Sequence, residues 1–218
     1  MMQLDIQTNI KEVTKNLNII QKKQIPFAAS VAMNRVIFGM QKAEKKKVDR
    51  VFDNATKFTK TGFVVVKSTK KNLTAELYIN NDGKKSRASY MQYEVSGGNR
   101  TPDNVAIAVV RQGNFTGKTT QAGNFRKGAI NKMKAQRAKF FFGKPKGQRF
   151  SGASQGIWER YARDTDTPRI RQIALFTKYA KYKPLFPFYE TANQVVFGRG
   201  GFKRQFEKAL RQALRTAK

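Results

Sequence analysis

The sequence predicts an α+β fold with a long N-terminal helix, a twisted antiparallel sheet with hairpins, and a C-terminal amphipathic helix. Three observations predict it. Apolar residues recur at three- and four-residue spacing near the N-terminus, residues 73–79 alternate apolar with polar, and a second helical stripe begins at Phe202. Charge bounds what such a fold does. The 218 residues carry 44 Lys and Arg against 14 Asp and Glu, a net charge of +30, with no histidine and no cysteine.

Residues 8–52 read as helical, with Pro26 well placed as the first residue of a helix and Ala29, Met33, Val36, Ile37, Met40 and Ala43 on one face. Lys45, Lys46 and Lys47 read as a solvated face of the same helix. Phe63–Val66 and the alternating Leu73–Ile79 form a hairpin around Lys70–Asn72, and Asn80–Gly83 is a turn. Further strands are expected at Tyr90–Val95 and Val105–Val110, with Gly97 and Gly98 between them. Gly113–Gly128 reads as a long loop, and Phe140–Phe142 as a buried strand. Ile170–Phe176 predicts another strand, and Phe188, Ala192, Val195 and Val196 a helix interrupted by Gly198, Gly200 and Gly201. The expectation is a single domain, 1–218: helical region 8–52, β-hairpin sheet 60–112, basic Gly-rich loop or arm 113–156, and strand plus C-terminal helices 157–218. Its expected core is Met33, Ile37, Leu77, Ile79, Phe188, Val195, Phe206, Leu210 and Leu214.

Composition steers function away from catalysis. Without imidazole or thiolate the usual proton shuttle, nucleophile and zinc ligands are missing, so no catalytic residue, cofactor or metal is expected. Gly113–Thr119 misspells a phosphate loop, with Gln112 where the first glycine belongs and no helix after it. Gly152-Ala-Ser154-Gln-Gly156 spells a nucleophile elbow but lacks its histidine, so a glycine-rich turn is expected. Asp164 and Asp166 could share a Mg²⁺ ion as in nucleases, the one enzyme chemistry the composition leaves comfortable with a nucleic-acid partner, but a turn before Pro168 accounts for them. No apolar run reaches the roughly 20 residues of a membrane span, and Met1–Ile10 lacks the core of a signal peptide, so no membrane partner is expected.

The strongest functional signal is the stretch from Asn104 to Trp158, which holds eleven Lys and Arg and no acid. Within it, from Arg126 to Arg149, cations are interleaved with aromatics, the residue types that grip phosphates and stack on bases or pack on protein. The candidate contacts to DNA or a partner are Arg126, Lys127, Lys132, Lys134, Arg137, Lys139, Lys144, Lys146 and Arg149. No base-reading motif accompanies them.

Three segments carry a family resemblance: Ile25-Pro-Phe-Ala-Ala-Ser-Val-Ala-Met-Asn-Arg-Val36, Val51–Thr59 running into Thr61–Val64, and Phe186-Pro-Phe-Tyr-Glu-Thr-Ala192 followed by Phe202–Leu214. Together they resemble the minor tail and tail-completion proteins of long-tailed phages, the group that includes the minor tail protein Z of lambda-like phages. The resemblance implies the fold given above and a structural virion protein, assembled in the host cytoplasm, that completes the tail and joins it to the head. The implied partners are further copies in a homo-oligomeric ring such as a hexamer, a tail terminator or tail tube protein, head-tail connector proteins and genomic DNA bound non-specifically. The alternative reading is a stand-alone basic nucleic-acid-binding protein.

Overall fold

A computed structural model describes residues 3–6, 19–83, 86–101, 107–111, 118–120, 123–147, 151–161 and 169–216. The fold is mixed α+β, with a long N-terminal helix, antiparallel sheets and a C-terminal helix, as the sequence predicts. The expected single domain resolves into two compact units, Met1–Gly97 with Lys183–Lys218, and Gly98–Tyr182. The second is continuous in sequence, so the expected arm at 113–156 lies within it.

Helix α1 (Ile19–Val51) dominates unit 1. Its buried residues Ala29, Met33, Ile37, Met40, Glu44 and Val48 follow the helical period, and Ala43 is half-buried beside them. Pro26 lies inside the helix rather than at its start. Proline cannot donate to the preceding turn, and this site still lies in the first part of a long helix. A short helical turn, α2 (Lys57–Lys60), follows, capped by the Thr56 hydroxyl, which accepts from the Thr59 N–H at 3.3 Å.

Strands β1 (Gln3–Ile6), β2 (Phe63–Val66) and β3 (Ala75–Ile79) form an antiparallel sheet in the order β1-β3-β2. Alternation is as the sequence predicts: Ala75, Leu77 and Ile79 are buried, Glu76 and Tyr78 half-buried. Side chains of α1 tie the helix to the β2 strand and the segment after it. Asn34 Nδ2 donates to the Ser68 carbonyl (3.0 Å), the Ser68 N–H donates to Asn34 Oδ1 (2.9 Å), and Gln41 Nε2 donates to the Phe63 carbonyl (2.8 Å). Ser30 and Ser68 exchange hydroxyl-to-carbonyl bonds of 3.1 Å in the buried interior.

Tyr90–Val95, expected as a strand, lies in helix α3 (Ala88–Ser96). Its string of β-favouring residues conceals a helical stripe: Ala88 and Met91 are buried and Val95 packs against the same cluster. Tertiary burial therefore overrides local propensity. Gly97, at φ 71°, ends the helix with its N–H on the Tyr93 carbonyl.

Two further helices, α5 (Phe188–Phe197) and α6 (Phe202–Thr216), complete unit 1 and pack on α1. Ala28 of α1 and Ala209 and Ala213 of α6 are buried together, small residues that let the two backbones approach. Phe63, Phe186 and Phe188 stack within 6.1–6.4 Å of one another, and Phe52 reaches Phe186 at 5.8 Å. Of the expected core, Met33, Ile37, Leu77, Ile79 and Phe188 are buried and Val195, Phe206 and Leu210 partly so. Leu214 is 49% exposed, because α6 turns its Ala209–Ala213 edge inward.

Unit 2 begins with β4 (Gly98–Arg100), which pairs with β9 (Ala180–Tyr182) so that Gly98 faces Tyr182 where the chain enters and leaves. Its main sheet holds β5 (Ile107–Val110), β6 (Phe140–Gly143), β7 (Gly156–Tyr161) and β8 (Arg169–Thr177), all antiparallel in the order β5-β8-β7-β6. The single sheet expected over 60–112 is thus divided, with β2 and β3 in one unit and β5 in the other. The expected strands at 105–110, 140–142 and 170–176 are β5, β6 and β8. A register irregularity falls at Ile157/Trp158, and a side chain at the neighbouring Gly156 would strike the Ala174 carbonyl. Helix α4 (Ala129–Ala135) buries Ala129 and Met133 against a core of Phe140, Ile157, Ile173 and Ala174.

Two predictions follow from unit 1. Asn34→Ala strands the buried Ser68 amide and removes three bonds to Ser68, which costs about 1–3 kcal/mol and lowers the urea midpoint at unchanged m. Glu44 is fully buried, and neither carboxylate oxygen has a hydrogen-bond partner among the described residues. Burial, opposed by the charge of Lys47, pushes its carboxyl from 4.5 up to about 8. Between those values the folded chain holds a proton that the unfolded chain releases, so stability falls as pH rises across that window. Glu44→Gln flattens this decline and raises the melting temperature at pH 8, measured by calorimetry from pH 5 to 8.

Candidate polyanion-binding face

Pairing across β6, β7 and β8 aligns Phe140, Glu159 and Arg171 in one row of the unit 2 sheet. Phe140 is buried, and α4 packs on its strand. The left-handed Gly128, at φ 76°, starts that helix where a side chain would be strained, and Lys132 and Lys134 sit in its last turn, complementing the helix dipole.

Glu159 is 2% exposed at the centre of the row. Arg171 contacts one carboxylate oxygen at 2.7 Å, while Lys118 and Lys139 approach the other at 3.3 and 3.7 Å. Burial alone would raise its carboxyl, but the Arg171 hydrogen bond and the charges of Lys118 and Arg171 outweigh it and hold the group below its ordinary value. One carboxylate thereby gathers three cations and leaves the cluster with net positive charge. Lys118 and Lys139 also lie over the Phe140 ring, at 5.3 and 5.9 Å.

The next row, Phe141, Trp158 and Gln172, projects to the other side of the sheet, because successive side chains of a strand alternate. The Phe141 and Trp158 rings stack at 6.3 Å, tilted by 10°. The Arg160 guanidinium covers Phe141 at 4.6 Å and donates through Nη1 to the carbonyls of Arg137 (3.0 Å) and Ala138 (3.3 Å). Along β6 runs an open groove of about 380 Å³ lined by Lys134, Arg137, Phe140, Phe141 and Phe142. Lys134 reaches over Phe142 at 5.9 Å. Trp158 Nε1 and Gln172 Nε2, both buried donors, have no acceptor among the described residues.

Of the nine candidate contacts the structure brings Lys134, Arg137 and Lys139 close to β6, the first from the last turn of α4 and the others from the turn between α4 and the strand. Arg126, Lys127, Lys132, Lys144 and Lys146 are exposed elsewhere on the unit. Of these, Arg126 Nε donates to the Thr119 carbonyl at 3.0 Å, and Lys144 Nζ to that of Ser151 at 2.8 Å. Arg149, Asp164, Asp166 and residues 113–117 lie outside the described residues. Ser154 is exposed in an irregular stretch after the Ser151–Gly152 turn. Lys118, Glu159, Arg160 and Arg171 were missed by the sequence reading. The signal that could have found the last three is the charged pair set between Trp158 and Tyr161 on one strand and the alternation of arginine with Ile170 on the next.

No family model, curated protein or solved structure matches this chain. The chemistry of the face therefore stands on its own residues. Glu159 is the one acid among the described residues of unit 2, and its charge is spent internally. What remains at the described surface is cationic and aromatic, an arrangement that holds anions by charge and flat rings by stacking.

Glu159→Gln leaves the gathered cations facing one another. The expected loss is roughly 2 kcal/mol, below the ~3–5 of a wholly buried pair, since Lys139 and Arg171 are 50% and 46% exposed. In the wild type this stabilisation is complete above the ordinary carboxylate range and disappears as pH falls through the lowered folded value. Thermal melts of both proteins from pH 7 down to 3 converge at the acid end.

Proposed function

We propose that this chain is a structural protein of a tailed-phage virion, which completes the tail and helps join it to the head as a homo-oligomeric ring around the DNA channel. The observation that carries the reading is the face of unit 2, where the described carboxylate is neutralised from within and the outward charge is of one sign. Such a face attracts polyanions and acidic protein surfaces over about a Debye length. It gains affinity from charge without requiring a shaped pocket. The virion assignment draws its support from the three resembling segments, which fall in α1, in the link from α1 to β2, and in the Pro-rich approach to α5 with α6. The partners are further copies of the chain, a tail terminator or tail tube protein, head-tail connector proteins, and genomic DNA held non-specifically. In lysates of a phage lacking this protein, electron microscopy shows finished tails and DNA-filled heads unjoined. Normal particles overturn the reading.

A specific observation favours a second reading, a nucleic-acid-binding protein that acts alone. Cations lie over rings along the β6 groove, as in sites that hold strands by phosphate contact and stacking. Affinity for duplex DNA then falls with salt at a logarithmic slope of about 0.9 per phosphate contact. Tight binding by the isolated monomer above physiological salt supports this second reading, and weak binding restored only in assembled rings supports the first.

A further inference from the structure

We propose that the exposed edge of β6 is a docking surface for single-stranded nucleic acid, with bases against Phe141 and the Arg160 plane and phosphates on Lys134 and Arg137; this rests on the second reading above. Four observations converge there. Among the described residues no strand pairs with the outer side of β6, so the groove along it is open. Phe141 is half-buried, and the guanidinium over it presents a second flat surface, which RNA-binding proteins use for stacking as they use aromatic rings. Lys134 and Arg137 are exposed on the groove's rim, and Arg137 adjoins Arg160 through its carbonyl. Glu159, the one acid among the described residues of unit 2, is buried and paired with cations, so no described carboxylate of the unit is left to repel phosphate.

Two other accounts fit part of this pattern. Cations beside an unpaired edge guard it against pairing with another strand, but guarding needs neither a stacked ring nor a guanidinium on it. An acidic peptide would satisfy the charge, yet it gains nothing from flat surfaces. A duplex hides its bases in the stack, so the aromatic plane selects a single strand over a duplex.

The chain holds one tryptophan, and it stacks on Phe141, so the site carries its own reporter. The full-length protein is titrated with oligothymidylate, with a duplex of equal length and with polyglutamate, following Trp158 fluorescence and the anisotropy of labelled ligand at two salt concentrations. Oligothymidylate quenches Trp158 with the same Kd that anisotropy gives, and the duplex binds without quenching. Phe141→Leu, which keeps apolar volume but loses the plane, weakens single-strand binding about tenfold, within the range of one base stack. Arg160→Lys weakens it several-fold at unchanged salt slope, because charge is kept and planarity lost. Lys134→Gln and Arg137→Gln each reduce the slope by about 0.7, the single-strand value per phosphate, and Lys203→Gln on α6 changes nothing. Binding without quenching, or affinity indifferent to both Phe141→Leu and Arg160→Lys, overturns the assignment to β6 and leaves the second reading standing. Quenching by polyglutamate and not by oligothymidylate overturns it in favour of an acidic protein segment. Failure of any nucleic acid to bind at low salt overturns the assignment and the second reading together.

Discussion

Like-charge repulsion is the constraint this fold has to satisfy: with a net charge of +30, most cations have no acid to meet. Rings do part of the work that carboxylates do in more balanced proteins. Lys70 lies over Phe27 at 4.7 Å, Arg87 over Phe58 at 3.9 Å, and Arg160 over Phe141 at 4.6 Å. An aromatic face attracts a cation without cancelling its charge. The cations are thereby anchored in place while the outward field is kept. Among the described residues, phenylalanines serve as core, as at Phe63 and Phe188, and as seats for charge, as at Phe27 and Phe58.

The two units answer the constraint differently. Unit 1 builds an interior of Ala, Met and Phe around α1 and, among the described residues, admits one fully buried carboxylate, Glu44, which burial keeps protonated at neutral pH. Glu94, on α3, is shifted upward by the same cause. Unit 2 does the reverse with Glu159, keeping it ionised and surrounding it with cations. A buried acid without a partner stays neutral and acts as a polar spacer, whereas one with three cationic neighbours acts as a nail. The difference lies in what surrounds each carboxylate.

How much was legible follows from how far apart the interacting residues lie. Helix α1, the alternation of β3 and the stripe of α6 are local periodicities, and the sequence shows them directly. Helix α3 was hidden because its apolar residues are β-formers and only Ala88 and Met91 declare its period. Helix α4 offers a short stripe of Ala129, Ile130 and Met133 inside a cation-rich run, too little to separate helix from loop before Phe140 and Ile157 are known to face it. The basic character of the candidate face was visible as an absence of acid. Its organisation was not, because Lys118, Lys139 and Arg171 are joined through a residue just beyond the acid-free run, and strand register alone brings them together.

That organisation bears on why a cationic face retains an acid at its centre. Three unpaired side chains of Lys and Arg would each sample many rotamers, and a ligand would have to order all of them, at roughly 0.5–1.5 kcal/mol apiece. Glu159 imposes that order before any ligand arrives, since its oxygens fix Lys118, Lys139 and Arg171 within 3.7 Å. The exchange lowers the charge of the cluster by one and spares the ligand the entropy of arranging it. The cationic cluster therefore takes its shape from a buried opposite charge, and this is where the chain departs from a merely basic tail.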